Sequence, residues 1–225
     1  EQMDFTGGEP FMIAEHFDLL RRVVESGHAH HVSLHYNTNG TIRPSQEIFD
    51  LWEQFKSCEI MFSLDGIYEK FEYMRHPAKW DEVWNNYNHF KSIDWMHVQV
   101  CHTVSIYNVY YLEEFIEKFG RENIYLNLLH FPRAYCVRNM PDKVKERVAQ
   151  RLINIPDMED IISFMNQEPH YDKLDLGFLS VTEKLDEIRS ENFSECFSEF
   201  YRILVDGGIN EEPWVVREYF RPVSQ

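Results

Sequence analysis

The 225-residue sequence has few cysteines, and they do not form a metal-binding or redox motif. Cys58, Cys101, Cys136 and Cys196 lie far apart in the chain, so no pair has the spacing of a zinc site or a reactive dithiol. Four cysteines in 225 residues are also too few for the disulfide scaffold of a secreted domain. We therefore expect reduced thiols and a cytoplasmic protein.

The sequence also lacks positive charge and long apolar runs. It has 22 lysines and arginines against 38 aspartates and glutamates, a formal net charge of −16 at pH 7. Nucleic-acid backbones are bound by clustered basic side chains, so we expect no nucleic-acid partner. The acidity suits a basic peptide or protein partner, and equally the solubility of a globular protein. No apolar run approaches the ~18 residues of a membrane span, so no membrane partner is expected.

What the sequence does contain is a regular alternation of strand-like and helix-like segments. This alternation predicts βα units and a parallel sheet. The predicted strands are Met3–Thr6, His31–Tyr36, Glu59–Leu64, His97–Val104 and Asn123–Leu129. Apolar residues spaced i, i+3, i+4, i+7 predict helices between them, with Ser45, Asp81 and Asn108 as N-caps and Gly120 as a stop.

The pattern changes after Pro132 and becomes mostly helical. The predicted elements are helices from Pro141 to about Ile153 and from Asp160 to Gln167, a long amphipathic helix from Thr182 to Leu204 ended by Gly207-Gly208, and an extended tail from Trp214 to Phe220. We therefore predict a core at 1–132 and a helical C-terminal extension at 133–225.

Three polar, glycine-containing motifs follow the first three predicted strands. They are Gly7-Gly8-Glu9-Pro10, Asn37-Thr38-Asn39-Gly40 and Ser63-Leu64-Asp65-Gly66. Because ligands of parallel α/β folds bind on loops at the C-terminal strand ends, we expect the three turns to converge on one site. Paired glycines let a ligand approach the backbone closely, and carboxylates at two of the turns offer acceptors for ammonium or hydroxyl groups.

Polar residues also occupy one face of four successive strands. Side chains alternate along a strand, so the polar sets are Ser33, His35 and Asn37; Ser63 and Asp65; Gln99, Cys101, Thr103 and Ser105; and Tyr125 and Asn127. A closed (β/α) barrel fills its interior with branched apolar side chains. If these polar faces point inward in such a barrel, the barrel is open and holds a polar ligand and water. The alternative is a one-sided antiparallel sheet, which the intervening helices disfavour.

Taken in this order, the three motifs resemble those of the radical S-adenosylmethionine (SAM) superfamily, in particular its branch with a SPASM or twitch extension. The resemblance covers residues 3–130 and implies a (β/α) barrel with SAM as its ligand. In relatives the first turn holds the methionine amino group, the second lines the nucleoside and substrate side, and the third contacts the ribose or carboxylate. Arg75 resembles the arginine that pairs with the SAM carboxylate, and a solvated surface role stays open for it.

Residues at each strand end are assigned to SAM by this resemblance. The implied set is Gly7, Gly8, Glu9, Pro10, Asn37, Asn39, Ser63, Asp65, Arg75, Thr103, Ser105, Asn108 and Leu129. The sequence does not choose a catalytic acid or base among Cys101, His102, Tyr125, His130 and Cys136.

One departure from the family is a missing Cys-x-x-x-Cys-x-x-Cys loop, which in relatives holds the iron–sulfur cluster after the first strand. We therefore interpret the chain as a partial (β/α) barrel lacking its first βα unit, with Met3–Thr6 as an edge strand. The four cysteines are expected to bind no cluster. Auxiliary-cluster cysteines are missing as well, which favours a twitch-like or reduced extension.

The resemblance implies a parent protein that cleaves SAM reductively at a [4Fe-4S] cluster. Its 5′-deoxyadenosyl radical would abstract hydrogen from a substrate, with flavodoxin or ferredoxin as reductant. The substrate stays open, with a peptide or protein among the candidates, and the fragment is expected to be inactive alone. Two alternatives remain: a module that binds SAM or another nucleotide without radical chemistry, and an interaction protein built on a decayed barrel.

Overall fold

The computed structural model describes residues 1–168 and 177–209, which form an α/β protein with a five-stranded sheet. The strands are β1 Gln2–Phe5, β2 Ser33–Thr38, β3 Ser57–Ser63, β4 His97–Val104 and β5 Ile124–Leu128. They lie side by side in chain order, and the pairs β1–β2, β2–β3 and β3–β4 are parallel. The predicted βα units and parallel sheet are confirmed.

Helices connect the strands and dominate the later part of the chain. They are α1 Ala14–Glu25, α2 Gln46–Trp52, α3 Tyr68–Met74, α4 Trp80–Lys91, α5 Leu112–Phe119, α6 Asp142–Leu152, α7 Glu159–Met165, α8 Phe178–Arg189, α9 Phe193–Cys196 and α10 Ser198–Asp206. No helix in the described ranges is both long enough and apolar enough to cross a bilayer.

The predicted start of α4 is wrong. Lys79 occupies the N-cap position, and Asp81 lies within the first turn of the helix. The side chain of Glu72 explains the earlier start, because its Oε1 accepts the Trp80 backbone N–H at 3.0 Å. An acceptor from the preceding helix thus replaces the local cap that the sequence suggested.

The predicted long helix from Thr182 to Leu204 is also wrong, because the chain forms α8, α9 and α10 there. Ser190 ends α8 with a left-handed φ of 56°. Asn192 then caps α9 by accepting the Glu195 N–H, and Asp186 Oδ2 accepts the Phe193 N–H at 2.8 Å. Local capping interrupts the helix although its apolar periodicity continues. The predicted tail from Trp214 to Phe220 lies outside the described residues.

The chain separates into two compact units. The first comprises residues 1–103 and 116–127, and the second comprises residues 104–115 together with the described residues from 128 onward. The division predicted at residue 132 stays a prediction.

Aromatic side chains form the core of the first unit on one face of the sheet. Tyr36 and Trp52 are fully buried, and the Trp52 Nε1–H donates to Tyr36 Oη at 3.1 Å. Phe62 and Phe90, also fully buried, pack edge to face. The opposite face is polar and half-buried, since exposure alternates along β2 and β4. The alternation expected from the sequence is therefore present.

The second unit has its own aromatic core. Phe178, Phe197 and Phe200 are fully buried, and the hydroxyls of Tyr107 and Thr182 lie 2.7 Å apart. This pairing satisfies two polar atoms that would otherwise be buried without a partner.

Candidate functional site

The first and second turns are joined by the buried carboxylate of Glu9. Its Oε1 accepts the Thr38 hydroxyl at 2.8 Å and the Phe11 N–H at 3.2 Å. Its Oε2 accepts the Asn39 N–H at 2.7 Å. Only 7% of Glu9 is exposed, so these are charge-assisted hydrogen bonds in a poorly hydrated environment. Glu9 therefore holds the two turns together.

Open backbone precedes this clamp at Gly7 and Gly8. Both have positive φ, 86° and 57°, which explains why glycine is used. A Cβ at either position would meet no atom within 4 Å, so space is available above the turn. Pro10 then begins a short 3₁₀ helix, Pro10–Met12, for which Glu9 is the N-cap. The turn thus combines an accessible backbone with a rigid exit.

The second turn is shaped by Asn39 and Gly40. Asn39 Oδ1 accepts the backbone N–H and the hydroxyl of Thr41, at 2.9 and 2.7 Å. Gly40 has a φ of 77°, and a Cβ there would lie 2.7 Å from the Phe62 ring. The carbonyl of Gly40 accepts the Asn86 side-chain N–H at 2.8 Å. These contacts fix the turn against the core.

The third turn is joined to the end of β4. Asp65 Oδ1 accepts the Thr103 N–H at 2.8 Å, and Asp65 Oδ2 lies 2.5 Å from Arg75 Nη2. The structure thus brings together Asp65, Arg75 and Thr103, three residues that sequence reasoning assigned to the site. It pairs Asp65 and Arg75 with each other, whereas the sequence suggested separate contacts to a ligand. Those ligand contacts stay predictions.

Ser63 and Asn37 lie on the half-buried polar face of the sheet. Ser63 pairs in register with Cys101, and Asn37 with Met61. Burial is the main cause that raises the pKa of the Cys101 thiol, and the nearby Asp65 carboxylate adds to it. Cys101 therefore favours its neutral thiol form, which argues against a thiolate nucleophile.

The remaining predicted site residues belong to the second unit. Ser105 donates its backbone N–H to Asn108 Oδ1 at 2.8 Å, and both residues are buried. Asn108 thus closes a local turn before a 3₁₀ segment at Val109–Tyr111, instead of capping it with its side chain. The Leu129 N–H donates to the Val104 carbonyl at 3.1 Å. SAM contacts by Ser105, Asn108 and Leu129 stay predictions.

The other candidate acids and bases are mostly occupied elsewhere. His102 is 1% exposed, and its Nδ1 lies 3.0 Å from the Leu64 carbonyl oxygen, to which it donates. Cys136 is fully buried, and burial raises the pKa of its thiol. His130 packs against the Phe164 ring in the second unit. Tyr125, on the exposed side of β5, is 58% accessible.

Sequence reasoning missed one group of titratable residues on the polar face. Asp4, His35, Glu59 and His97 form a row across β1–β4, each in register with the next. The sequence signal for this row was the alternation of polar residues within each strand. Register between strands, which the sequence does not state, was needed to align them.

The described residues leave open backbone at the first turn but provide no ligand set for an iron–sulfur cluster. The open, positive-φ backbone of Gly7 and Gly8 leaves room for a charged head group. By contrast, residues 1–168 and 177–209 contain no group of three or more His, Cys, Asp or Glu side chains that could hold a metal ion. A cluster would therefore need ligands from outside this set.

The sequence matches no protein-family model and no curated protein. Its fold resembles solved structures of anSMEcpe, a radical SAM anaerobic sulfatase maturase with a SPASM/twitch region. One of these structures, with bound AdoMet, has a TM-score of 0.51 and 14% identity, and the match covers 72% of this chain and 47% of that one. The structure with bound AdoMet and Cp18Cys peptide has a TM-score of 0.50 and 14% identity, covering 72% and 48%.

These identities support similarity of fold alone. The described α/β architecture is compatible with a partial barrel of the radical SAM type, as the three motifs suggested. The chain spans about half the length of the solved structures that it matches.

Proposed function

We propose that this chain is the SAM-binding part of a radical SAM enzyme. The observation that carries the proposal is that Glu9 clamps the first two turns together and Asp65 ties the third to β4, all at the C-terminal strand ends. A [4Fe-4S] cluster, when bound, would supply the electron that cleaves SAM to a 5′-deoxyadenosyl radical. Its ligands would come from residues other than the described ones.

The chain's own residues bind and orient SAM in this proposal. The backbone at Gly7 and Gly8 receives the methionine head group, where the open space allows close approach. Asp65 accepts ribose hydroxyls, and Arg75 receives the SAM carboxylate. Asp65 Oδ2 and Arg75 Nη2 lie 2.5 Å apart, so a bound ligand would have to contact both members of this ion pair or separate them.

A peptide is the proposed substrate class. One of the structures with a similar fold holds a bound Cp18Cys peptide. The net charge of −16 suits a basic peptide and agrees with this class without identifying it. A small electron carrier of the flavodoxin or ferredoxin type would deliver the electron.

SAM affinity tests the proposal, in a version of the protein extended to include a cluster-binding loop. We expect anaerobic calorimetry to detect binding that weakens by about 1.5–3 kcal/mol in Asp65→Asn, because a hydrogen bond to a charged group is lost. Asp81→Asn, an exposed carboxylate in α4, is the matched control and should bind as before. Equal affinity in Asp65→Asn would remove Asp65 from the site.

A second assay separates the alternatives. Reductant-dependent formation of 5′-deoxyadenosine by the extended protein would support the enzyme. Binding of SAM without cleavage would instead favour a SAM-binding module, and absence of both would favour an interaction protein.

A further inference from the structure

The polar face of the first unit contains an imidazole held by a carboxylate. His35 Nδ1 lies 2.7 Å from Glu59 Oε2, so this nitrogen carries the proton that the carboxylate accepts. The other carboxylate oxygen, Oε1, lies 3.5 Å from His97 Nε2. Glu59 is thus contacted on both oxygens, which fixes its orientation beside His35.

This arrangement determines which nitrogen of His35 is available. With Nδ1–H directed at Glu59, the neutral ring presents the Nε2 lone pair as an acceptor. The side chain of Asn37 is near this atom, with Nδ2 and Nε2 3.5 Å apart. That distance is long for a hydrogen bond, so a better donor could replace the amide.

The position of His35 relates it to the proposed SAM site. It precedes Asn37 by two residues on β2, so both side chains lie on the same face, about 7 Å apart along the strand. The His35 side chain is 22% exposed, against 61% for His97. A half-buried imidazole, aligned by a carboxylate and placed below the turns, has the features of a general base.

We propose that His35 Nε2 is the proton acceptor for a peptide substrate bound on this face, with Glu59 as its positioning residue. The proposal rests on the proposed function. The proton leaves an O–H, N–H or S–H group of the substrate for Nε2, and the electron pair of the broken bond stays on the substrate heteroatom. The Glu59 carboxylate balances the charge of the resulting imidazolium. No electron is transferred in this step.

The test measures two products in the extended, reduced protein, with the Cp18Cys peptide as the substrate probe. Formation of 5′-deoxyadenosine reports SAM cleavage, and the peptide mass reports conversion. His35→Gln should lower peptide conversion at least ~100-fold and leave deoxyadenosine formation in place. Glu59→Gln should lower conversion about 10- to 100-fold, because the His35 ring is then no longer held in its Nδ1–H tautomer by a carboxylate. His28→Gln, at an exposed position outside the sheet, is the matched control and should convert the peptide at the unaltered rate.

Chemical rescue distinguishes a base from a structural residue. Added imidazole should restore conversion to His35→Ala, which a purely structural role would not allow. In this 225-residue chain, ¹⁵N NMR of labelled histidine should show the neutral His35 ring as its Nδ1–H tautomer, and mixed tautomers in Glu59→Gln.

The outcomes separate the two proposals. Absence of deoxyadenosine from the unaltered protein would overturn the proposed function and this inference with it. Deoxyadenosine without peptide conversion in the unaltered protein, or unchanged conversion by His35→Gln, would overturn the inference alone.

Discussion

The Glu9→Gln substitution should loosen the first two turns, and its cost can be derived from the structure. Glutamine keeps one acceptor oxygen, which can serve the Thr38 hydroxyl and the Phe11 N–H. Its amide nitrogen then faces the Asn39 N–H, where a 2.7 Å hydrogen bond now exists. One charge-assisted bond is lost and one donor is left without an acceptor. We expect a loss of about 1.5–3 kcal/mol in the free energy of unfolding.

Urea unfolding should be combined with amide hydrogen exchange for this variant, because two compact units need not unfold together. The Asn39 and Phe11 amides should lose protection before the strand amides do. Glu15→Gln, at an exposed position in the first turn of α1, is the control and should change stability by less than ~0.5 kcal/mol. Unchanged stability and protection in Glu9→Gln would refute the clamp.

Two further predictions concern the second turn and the cysteine next to the third. Gly40→Ala should lower the free energy of unfolding by about 2–4 kcal/mol in urea, because its Cβ would meet the Phe62 ring and its positive φ adds strain. Gly7→Ala is the control: its Cβ would lie in open space, so it should lose only the smaller part that comes from the positive φ. Equal losses in the two variants would contradict this account. Because the pKa of Cys101 is raised, its alkylation by iodoacetamide should begin at higher pH than that of an ordinary thiol. Asp65→Asn should move that onset to lower pH, since the carboxylate opposes the thiolate, and an unchanged onset would disprove the coupling.

The site residues differ in how far the sequence could predict them. The three turns were found because each contains its own chemistry: glycines where φ is positive, and short polar side chains at strand ends. The tautomer-fixing pair of His35 and Glu59 was missed. Its members are on different strands, and each looks like an ordinary polar residue of a half-buried face.

The sequence also could not predict which partners the charged side chains at the C-terminal strand ends would bind. Asp65 and Arg75 were both expected near a ligand, yet their 2.5 Å ion pair depends on how the chain returns after α3. The Glu9 carboxylate was expected to face an ammonium group, and it instead accepts three internal donors. When several donors lie near one carboxylate, the geometry of the folded chain decides which of them it accepts from. Residue type alone does not decide this.

The sequence by itself determined the order of strands and helices and the position of the turns. These features depend on periods of two and 3.6 residues and on local backbone preferences, which are properties of neighbouring residues. Tertiary structure alone decided strand register, the Glu9 clamp and the Asp65–Arg75 pair. Each of these is a competition between local and distant partners for the same hydrogen bonds or charges, and only the folded chain brings the distant partner within reach.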